Sequence, residues 1–237
     1  MLVGQRNVKL FEDISTKQKY IGKANDDRTF KEYSLLMECK KSPYIIDIIM
    51  KKKYKKFTIF LMPYFKCGDL NECCKDEIPM RQIKKISKQI ASGIDFMHSI
   101  SIIHKDLKLA NILRVDDSED FDIVLIDLGY ADKYDDDKPF VTRMGTTKYM
   151  APEVFYRDIH TPKLDIWSFG VIIYKFITKG EYPFLKDSLF KINQVIYDYE
   201  NFQNDTNLQI LVKSCFSIEP TERPSAKECL LSKWMNE

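Results

Sequence analysis

A short stretch in the middle of the chain, IHKDLKLANIL, carries His104, Asp106, Lys108 and Asn111 between two apolar segments. A second carboxylate, Asp127, follows the apolar segment FDIVLI. On loops between short strands, such residues suit phosphoryl transfer, because one carboxylate accepts a hydroxyl proton and a cation neutralises the transferred group. An asparagine and a second aspartate provide the oxygen ligands that Mg²⁺ requires. These residue types therefore indicate phosphoryl-transfer chemistry.

The composition limits the class of protein. The 237 residues are 44% hydrophobic and 30% charged, which is enough apolar content for a packed core and excludes a disordered chain. A net charge of +2 predicts no general attraction to nucleic acid or to an anionic membrane. No apolar run approaches the roughly 18 residues of a membrane-spanning helix, and the amino terminus lacks an apolar signal core.

The six cysteines form no C-x-x-C pair. Six cysteines could form three disulfides in a secreted protein, but a chain of this length and core content does not need them. We therefore expect reduced thiols in an intracellular protein, cytoplasmic or nuclear.

The first 62 residues are predicted to form strands around one helix. Lys17–Ala24 is a candidate strand, and 44–62 has the pattern of a hairpin. Its basic run, KKKYKK, is interpreted as a solvated turn, with a nuclear localisation patch as the alternative. Arg28–Lys40 has helical spacing, with four residues predicted on one face: Phe30, Tyr33, Leu36 and Met37.

From Asp69 onward the pattern is mostly helical. One helix is predicted from apolar residues spaced three and four apart: Ile83, Ile86, Ile90, Ile94 and Met97. Leu164–Thr178 is apolar almost all round, which is typical of a buried central helix.

Four motifs resemble those of the eukaryotic-type protein kinase family. HKDLKLAN resembles H-R-D-L-x-x-x-N, DLG at 127–129 resembles D-F-G, and APE at 151–153 matches A-P-E. DIWSFG at 165–170 resembles the family's D-x-W-S-x-G. The resemblance extends from about Val8 to Trp234.

The resemblance implies one α+β, bilobal domain over 1–237. Residues 1–62 would form an N-lobe of small antiparallel sheet and one helix. Residues 63–69 would be the hinge, and 70–237 a larger, mainly helical C-lobe.

The resemblance also implies a role for each polar residue. Asp106 would be the base that orients a substrate hydroxyl, and Lys108 would bridge it to the γ-phosphate, as in serine/threonine kinases. Thr146 would hydrogen-bond both and help to admit a serine or threonine. Asn111 and Asp127 would hold Mg²⁺. The expected partners are ATP and a protein substrate, with no nucleic acid or membrane, and the oligomeric state is left open.

The nucleotide would lie between the lobes. Lys23 would grip the α- and β-phosphates and pair with Glu32. Asp69 would bind the ribose or cap a helix, and both readings stay open. The remaining residues expected around adenine are Val8, Ile21, Met62, Pro63, Phe65 and Leu113.

Two departures from the family concern the nucleotide pocket. If Val8 is the valine of G-x-G-x-x-G-x-V, the glycine positions fall at Met1, Val3 and Arg6, and none is glycine. Backbone amides would then approach the phosphates less closely. Ile21 replaces a small alanine and would narrow the adenine slot.

The segment before A-P-E suggests regulation by phosphorylation. Thr142 lies where many members of the family are phosphorylated, and Lys105 and Lys133 would be the cations for that phosphate. Lys105 replaces the family's arginine and offers a point charge instead of a bidentate fork. The resemblance further implies a buried Glu153–Arg223 ion pair.

Three functions are compatible with these residues. An active serine/threonine protein kinase agrees with the complete polar set. A pseudokinase, acting as a binding or scaffold module, agrees with the degenerate phosphate loop. A small-molecule kinase is the third, and Thr146 and the A-P-E segment argue against it.

Overall fold

The computed structural model describes residues 8–24, 27–54, 57–135, 145–156, 160–183, 202 and 205–237. Its strands are β1 (Val8–Glu12), β2 (Lys19–Ala24), β3 (Met50–Tyr54), β4 (Phe57–Pro63), β5 (Ile102–Ile103), β6 (Ile112–Arg114), β7 (Ile123–Leu125) and β8 (Asp132–Lys133). Its helices are α1 (Asp27–Cys39), α2 (Leu70–Cys73), α3 (Met80–Ser99), α4 (Pro152–Tyr156), α5 (Lys163–Ile177), α6 (Thr206–Cys215), α7 (Ala226–Leu230) and α8 (Lys233–Asn236). A sheet lobe with one helix precedes a mainly helical lobe, so the predicted α+β architecture is confirmed.

The N-terminal sheet is antiparallel, with the order β1-β2-β4-β3. Its register pairs Lys23 with Val8 on one side and with Phe60 on the other, and it pairs Ile21 with Met62. Directly opposed residues of antiparallel strands point to the same face. These five side chains are buried and share the face that carries Lys23.

Helix α1 begins one residue before the predicted start and ends one residue before the predicted end. Its predicted inner face is partly wrong, because Phe30 is 55% exposed and Met37 is 41% exposed. Leu36 is buried as predicted, and Glu32 and Cys39 are buried with it. The prediction counted apolar residues only and therefore left out Glu32. As a result, the predicted buried face of α1 is rotated away from the observed one.

The predicted hairpin at 44–62 is wrong in its first half. The hairpin runs from Met50 to Pro63, and Tyr44–Ile49 is a connecting segment. Ile49 N–H donates to the Leu61 carbonyl of β4 at 2.8 Å, whereas two bonds near the start of the segment go to β7 in the other lobe. Ile46 N–H donates to the Leu125 carbonyl at 2.9 Å, and Leu125 N–H donates to the Tyr44 carbonyl at 2.8 Å. This apolar segment therefore joins the two lobes.

The basic run lies on β3, which is an edge strand of the sheet. Lys51–Lys53 are exposed strand residues and not a turn, while Lys55 and Lys56 lie outside the described residues. Lys51 Nζ lies 4.2 Å from the centroid of the Tyr33 ring. Lysines on an exposed edge discourage pairing with another chain, which is a structural reason for the run.

Helices α3 and α5 form the centre of the helical lobe. The predicted apolar stripe of α3 is buried, and α5 is buried on all sides over most of its length, which confirms both predictions. A Cβ on Gly170 of α5 would lie 2.7 Å from Cys215 Cβ, so glycine allows α5 and α6 to approach closely. Within the described part of the chain, no helix is long and apolar enough to cross a membrane.

Candidate active site

Asp106, Lys108 and Thr146 form a closed set of hydrogen bonds. Lys108 Nζ donates to Asp106 Oδ2 and to Thr146 Oγ1, each at 2.7 Å. Thr146 Oγ1 donates to Asp106 Oδ1, also at 2.7 Å. A hydroxyl therefore already contacts both the carboxylate and the ammonium group. A substrate hydroxyl at this place would meet a base and a cation together.

The close approach of Thr146 depends on Gly145. This glycine has φ +119°, and a Cβ there would lie 2.6 Å from the Lys105 carbonyl oxygen. Any side chain would push the segment away from the loop that carries Asp106. Gly145 therefore sets the distance between Thr146 and that loop.

Asn111 is oriented by the same aspartate. Its Nδ2 donates to the Asp106 carbonyl at 2.9 Å and to Asp106 Oδ2 at 3.2 Å. Because the amide nitrogen makes these bonds, the side-chain oxygen faces away from Asp106. That oxygen is the atom that a hard cation prefers.

Lys23, Glu32 and Asp127 form a buried charge cluster between the lobes. Lys23 Nζ lies 2.7 Å from Glu32 Oε1 and 3.1 Å from Asp127 Oδ1. Burial alone would lower the pKa of Lys23, but the two carboxylates outweigh it and raise that pKa. Burial raises the pKa of Glu32. For Asp127, burial opposes ionisation, yet Lys23 holds its pKa below the ordinary value.

Asp165 holds the loop 104–111, named here the catalytic loop. It lies in the first turn of α5, and its carboxylate accepts from His104 N–H at 2.9 Å and from Lys105 N–H at 3.0 Å. His98 Nε2 adds a third bond at 2.9 Å. Burial opposes the charge of Asp165, but these bonds hold its pKa below the usual range. They also fix Lys105 with a positive φ of 66°.

The His104 ring contacts backbone groups through both of its nitrogens. Its Nδ1 accepts from Asp106 N–H at 3.3 Å, and its Nε2 lies 3.3 Å from the Ile126 carbonyl. These partners assign the proton to Nε2. Both ring nitrogens therefore have partners within the protein.

Comparison with known families finds one family that spans both lobes and the buried Lys23 charge cluster. The protein kinase domain family matches residues 9–235. The chain belongs to the protein kinase family. The match covers both lobes, including the catalytic loop and the Lys23 cluster.

Curated relatives are themselves protein kinases by name. The chain is 28% identical to rabbit (Oryctolagus cuniculus) serine/threonine-protein kinase 17A over 217 residues, or 87% of this chain and 54% of that protein. It is 30% identical to serine/threonine-protein kinase STE20 of Saccharomyces cerevisiae over 232 residues, or 94% and 24%. It is 32% identical to human hormonally up-regulated neu tumor-associated kinase over 174 residues, or 69% and 24%. The chain thus spans from about a quarter to about half of these relatives.

The side chains predicted to surround adenine are buried or partly buried. Val8 and Leu113 are buried, and Ile21 lies opposite Met62 on neighbouring strands. Pro63 ends β4, and Phe65 packs partly buried against the core. They come from β1, β2, β4, the segment after β4, and β6.

Asp69 caps α2 in the structure. Its Oδ1 accepts from Asn71 N–H at 2.9 Å, and its backbone forms a bridge with Leu113. The cap interpretation is confirmed, and the ribose role stays a prediction. The capping bond uses one carboxylate oxygen.

A buried ion pair anchors the A-P-E segment of the kinase domain, as predicted. Arg223 Nη1 and Nη2 donate to Glu153 Oε1 and Oε2 at 2.6 and 2.7 Å. Arg223 also donates to the Ser217 carbonyl at 2.8 Å, and both side chains are almost fully buried. The pair joins α4 to the segment before α7.

The two lysines predicted to bind a phosphate on Thr142 form ion pairs with carboxylates instead. Lys105 Nζ lies 3.2 Å from Asp132 Oδ2, and Lys133 pairs with Glu38. Asp132 also lies 2.6 Å from Lys31 Nζ. The sequence analysis did not identify Asp132 or Lys31 as part of this cluster. The one signal in the sequence was the acidic residue five positions after Asp127. Thr142 and the phosphate-loop positions at 1, 3 and 6 lie outside the described residues.

Proposed function

We propose that this domain is a serine/threonine protein kinase that transfers the γ-phosphate of ATP to protein hydroxyls. The observation that carries the proposal is the closed set of bonds among Asp106, Lys108 and Thr146. It provides a base, a cation and a hydroxyl contact at one point. The names of the relatives support the same reaction.

In the proposed reaction, the substrate hydroxyl takes a place beside Asp106 and donates its proton to the carboxylate. Its oxygen forms a bond to the γ-phosphorus as the bond to the β-phosphate oxygen breaks, and ADP leaves. Lys108 neutralises the moving phosphoryl group. Thr146 holds the Asp106 carboxylate and the Lys108 ammonium group in place through its hydroxyl.

The donor set fits Mg²⁺. Asn111 and Asp127 supply one amide oxygen and one carboxylate. Among the residues that the structure describes, no group of three or more His, Cys, Asp or Glu side chains could hold a metal alone. Mg²⁺ at phosphoryl-transfer sites takes one or two protein ligands and completes its shell with phosphates and water. When bound, it would neutralise phosphate charge.

The nucleotide would lie between the lobes, with adenine in the apolar slot and the phosphates near Lys23. Lys23 would be fixed for this role by its ion pairs with Glu32 and Asp127. We also propose the lobe limits 1–62 and 70–237 with a hinge at 63–69. They are supported by the end of β4 at Pro63 and the start of α2 at Leu70.

We infer that the protein works inside the cell, in the cytoplasm or the nucleus. All six cysteines have free thiols. Burial raises the pKa of Cys39 to about 12 and that of Cys73 to about 11, so these two thiols are poorly reactive. Such thiols are typical of a reducing compartment.

The test is phosphate transfer from labelled ATP to a serine-containing protein, run beside an Mg-ATP thermal shift. We expect both transfer and a shift. Asp106→Asn is the control and should lower transfer by roughly a hundredfold or more, because it removes the base. A thermal shift without transfer would favour the pseudokinase alternative, which the missing glycines support.

The missing glycines predict an unusual ranking of ligands. Each lost amide–phosphate contact should cost ATP and ADP about 1.5–3 kcal/mol, or roughly tenfold to a hundredfold in affinity. Adenosine, held by hinge and slot, should lose little. Lys23 and Mg²⁺ should recover part of the loss, so ATP affinity should depend steeply on Mg²⁺.

Calorimetry of ATP, ADP and adenosine with and without Mg²⁺ measures this ranking. Tight ATP binding in the absence of Mg²⁺ would contradict the prediction, because another segment would then supply the phosphate contacts.

A further inference from the structure

One carboxylate joins three separate parts of the kinase domain. Asp132 lies on β8, whose partner β5 leads directly into the catalytic loop. Its Oδ1 is 2.6 Å from Lys31 Nζ of α1, and its Oδ2 is 3.2 Å from Lys105 Nζ of the catalytic loop. The neighbouring Lys133 pairs with Glu38, which lies two turns after Lys31 on α1.

Each lysine stands next to a residue of the site. Lys31 precedes Glu32, which fixes Lys23, and Lys105 precedes Asp106, the proposed base. Asp132 therefore connects the nucleotide side of the site to its catalytic side through backbone-adjacent residues.

The negative charge of Asp132 lies between two lysines, Lys31 of α1 and Lys105 of the catalytic loop. The Lys105 side chain is almost fully buried, and burial lowers its pKa, while the charge of Asp132 acts in the opposite direction. Without that carboxylate, Lys105 and Lys31 would be two ammonium groups facing one place. Their repulsion would separate α1 from the catalytic loop.

We propose that Asp132 is a positioning residue that holds α1 against the catalytic loop and makes the active arrangement independent of phosphate on the segment after it. Lys105 and Lys133 already pair with carboxylates, so a phosphate is not needed to neutralise them. This inference rests on the proposed kinase function.

The test compares Asp132→Asn with Asp132→Glu, which keeps the charge. Asp120→Asn is the matched control, because Asp120 also pairs with two basic side chains, Arg81 and Lys85, on the surface away from the site. We expect Asp132→Asn to lower kcat roughly tenfold or more, because small displacements of reacting groups are costly. Asp132→Glu should recover most of the rate, and Asp120→Asn should not change it.

Hydrogen exchange provides a readout that does not need activity. Asp132→Asn should speed amide exchange in α1 and in 102–107, and Asp132→Glu should not. Lys31→Met is a second variant whose side chain is 46% exposed in the wild type, so the fold should tolerate it. It should speed exchange in α1 alone.

The outcomes separate the two proposals. Unchanged exchange in α1 and the catalytic loop of Asp132→Asn would overturn the positioning role. A wild-type protein that loses more than about tenfold of its rate after phosphatase treatment would overturn the independence from phosphate. If the wild type transfers no phosphate, the kinase proposal fails, while exchange still decides whether Asp132 couples the two elements.

Discussion

Asp127→Asn is expected to lower Mg²⁺-dependent phosphate transfer by more than about a hundredfold and to leave the fold intact. Loss of residues that only support metal ligands already costs about tenfold to a hundredfold, so loss of a ligand should cost more. Asparagine is the right replacement, because Asp127 has φ +65° and asparagine tolerates this region. The change removes a charge next to Lys23 without a change of size.

Initial rates across Mg²⁺ concentrations, together with thermal unfolding, measure this effect. Asp117→Asn is the control for the loss of one carboxylate, since Asp117 is exposed and pairs only at the surface with Lys66. We expect adenosine affinity to stay the same in both variants. A rate for Asp127→Asn within a few-fold of the wild type would show that the carboxylate does not serve the metal.

Glu153→Gln is expected to lower the free energy of unfolding by about 3–5 kcal/mol. The reason is that Arg223 keeps its charge in a site where it is almost fully buried, and breaking a buried pair from one side leaves that charge uncompensated. The remaining bonds of Arg223, to the Ser217, Ile218 and Lys163 carbonyls, cannot neutralise it. A loss of this size is a large part of the stability of most domains.

Urea unfolding of the wild type and the variant provides the comparison. Asp117→Asn breaks an exposed pair and should cost little stability, so it sets the scale for a surface ion pair. If Glu153→Gln costs no more than Asp117→Asn, the buried pair does not stabilise the fold as proposed.

The amino-acid sequence was sufficient for the elements with a strong local pattern. The stripe of α3 and the apolar surface of α5 could be predicted because each helix is buried by its own residues at a fixed spacing. The grouping of Asp106, Lys108 and Asn111 on one loop could be predicted because these residues lie within a short stretch of sequence. The family resemblance then supplied the expected roles.

The tertiary structure decided the features that depend on distant partners. Glu32 is buried because Lys23 neutralises it from another element, and a count of apolar residues cannot find such a position. Residues 44–49 do not form the first strand of the predicted hairpin, because Tyr44 and Ile46 make their backbone bonds to β7 of the other lobe.

The ion pairs show most clearly what the sequence determined and what only the structure decided. The sequence by itself determined which ionisable residues exist and which of them belong to the family's motifs. Only the structure decided that Lys105 pairs with Asp132, because β8 and the catalytic loop are brought together by the pairing of β5 with β8. An ion pair depends on a separation of a few ångströms in space, and the order of residues along a chain does not specify that separation.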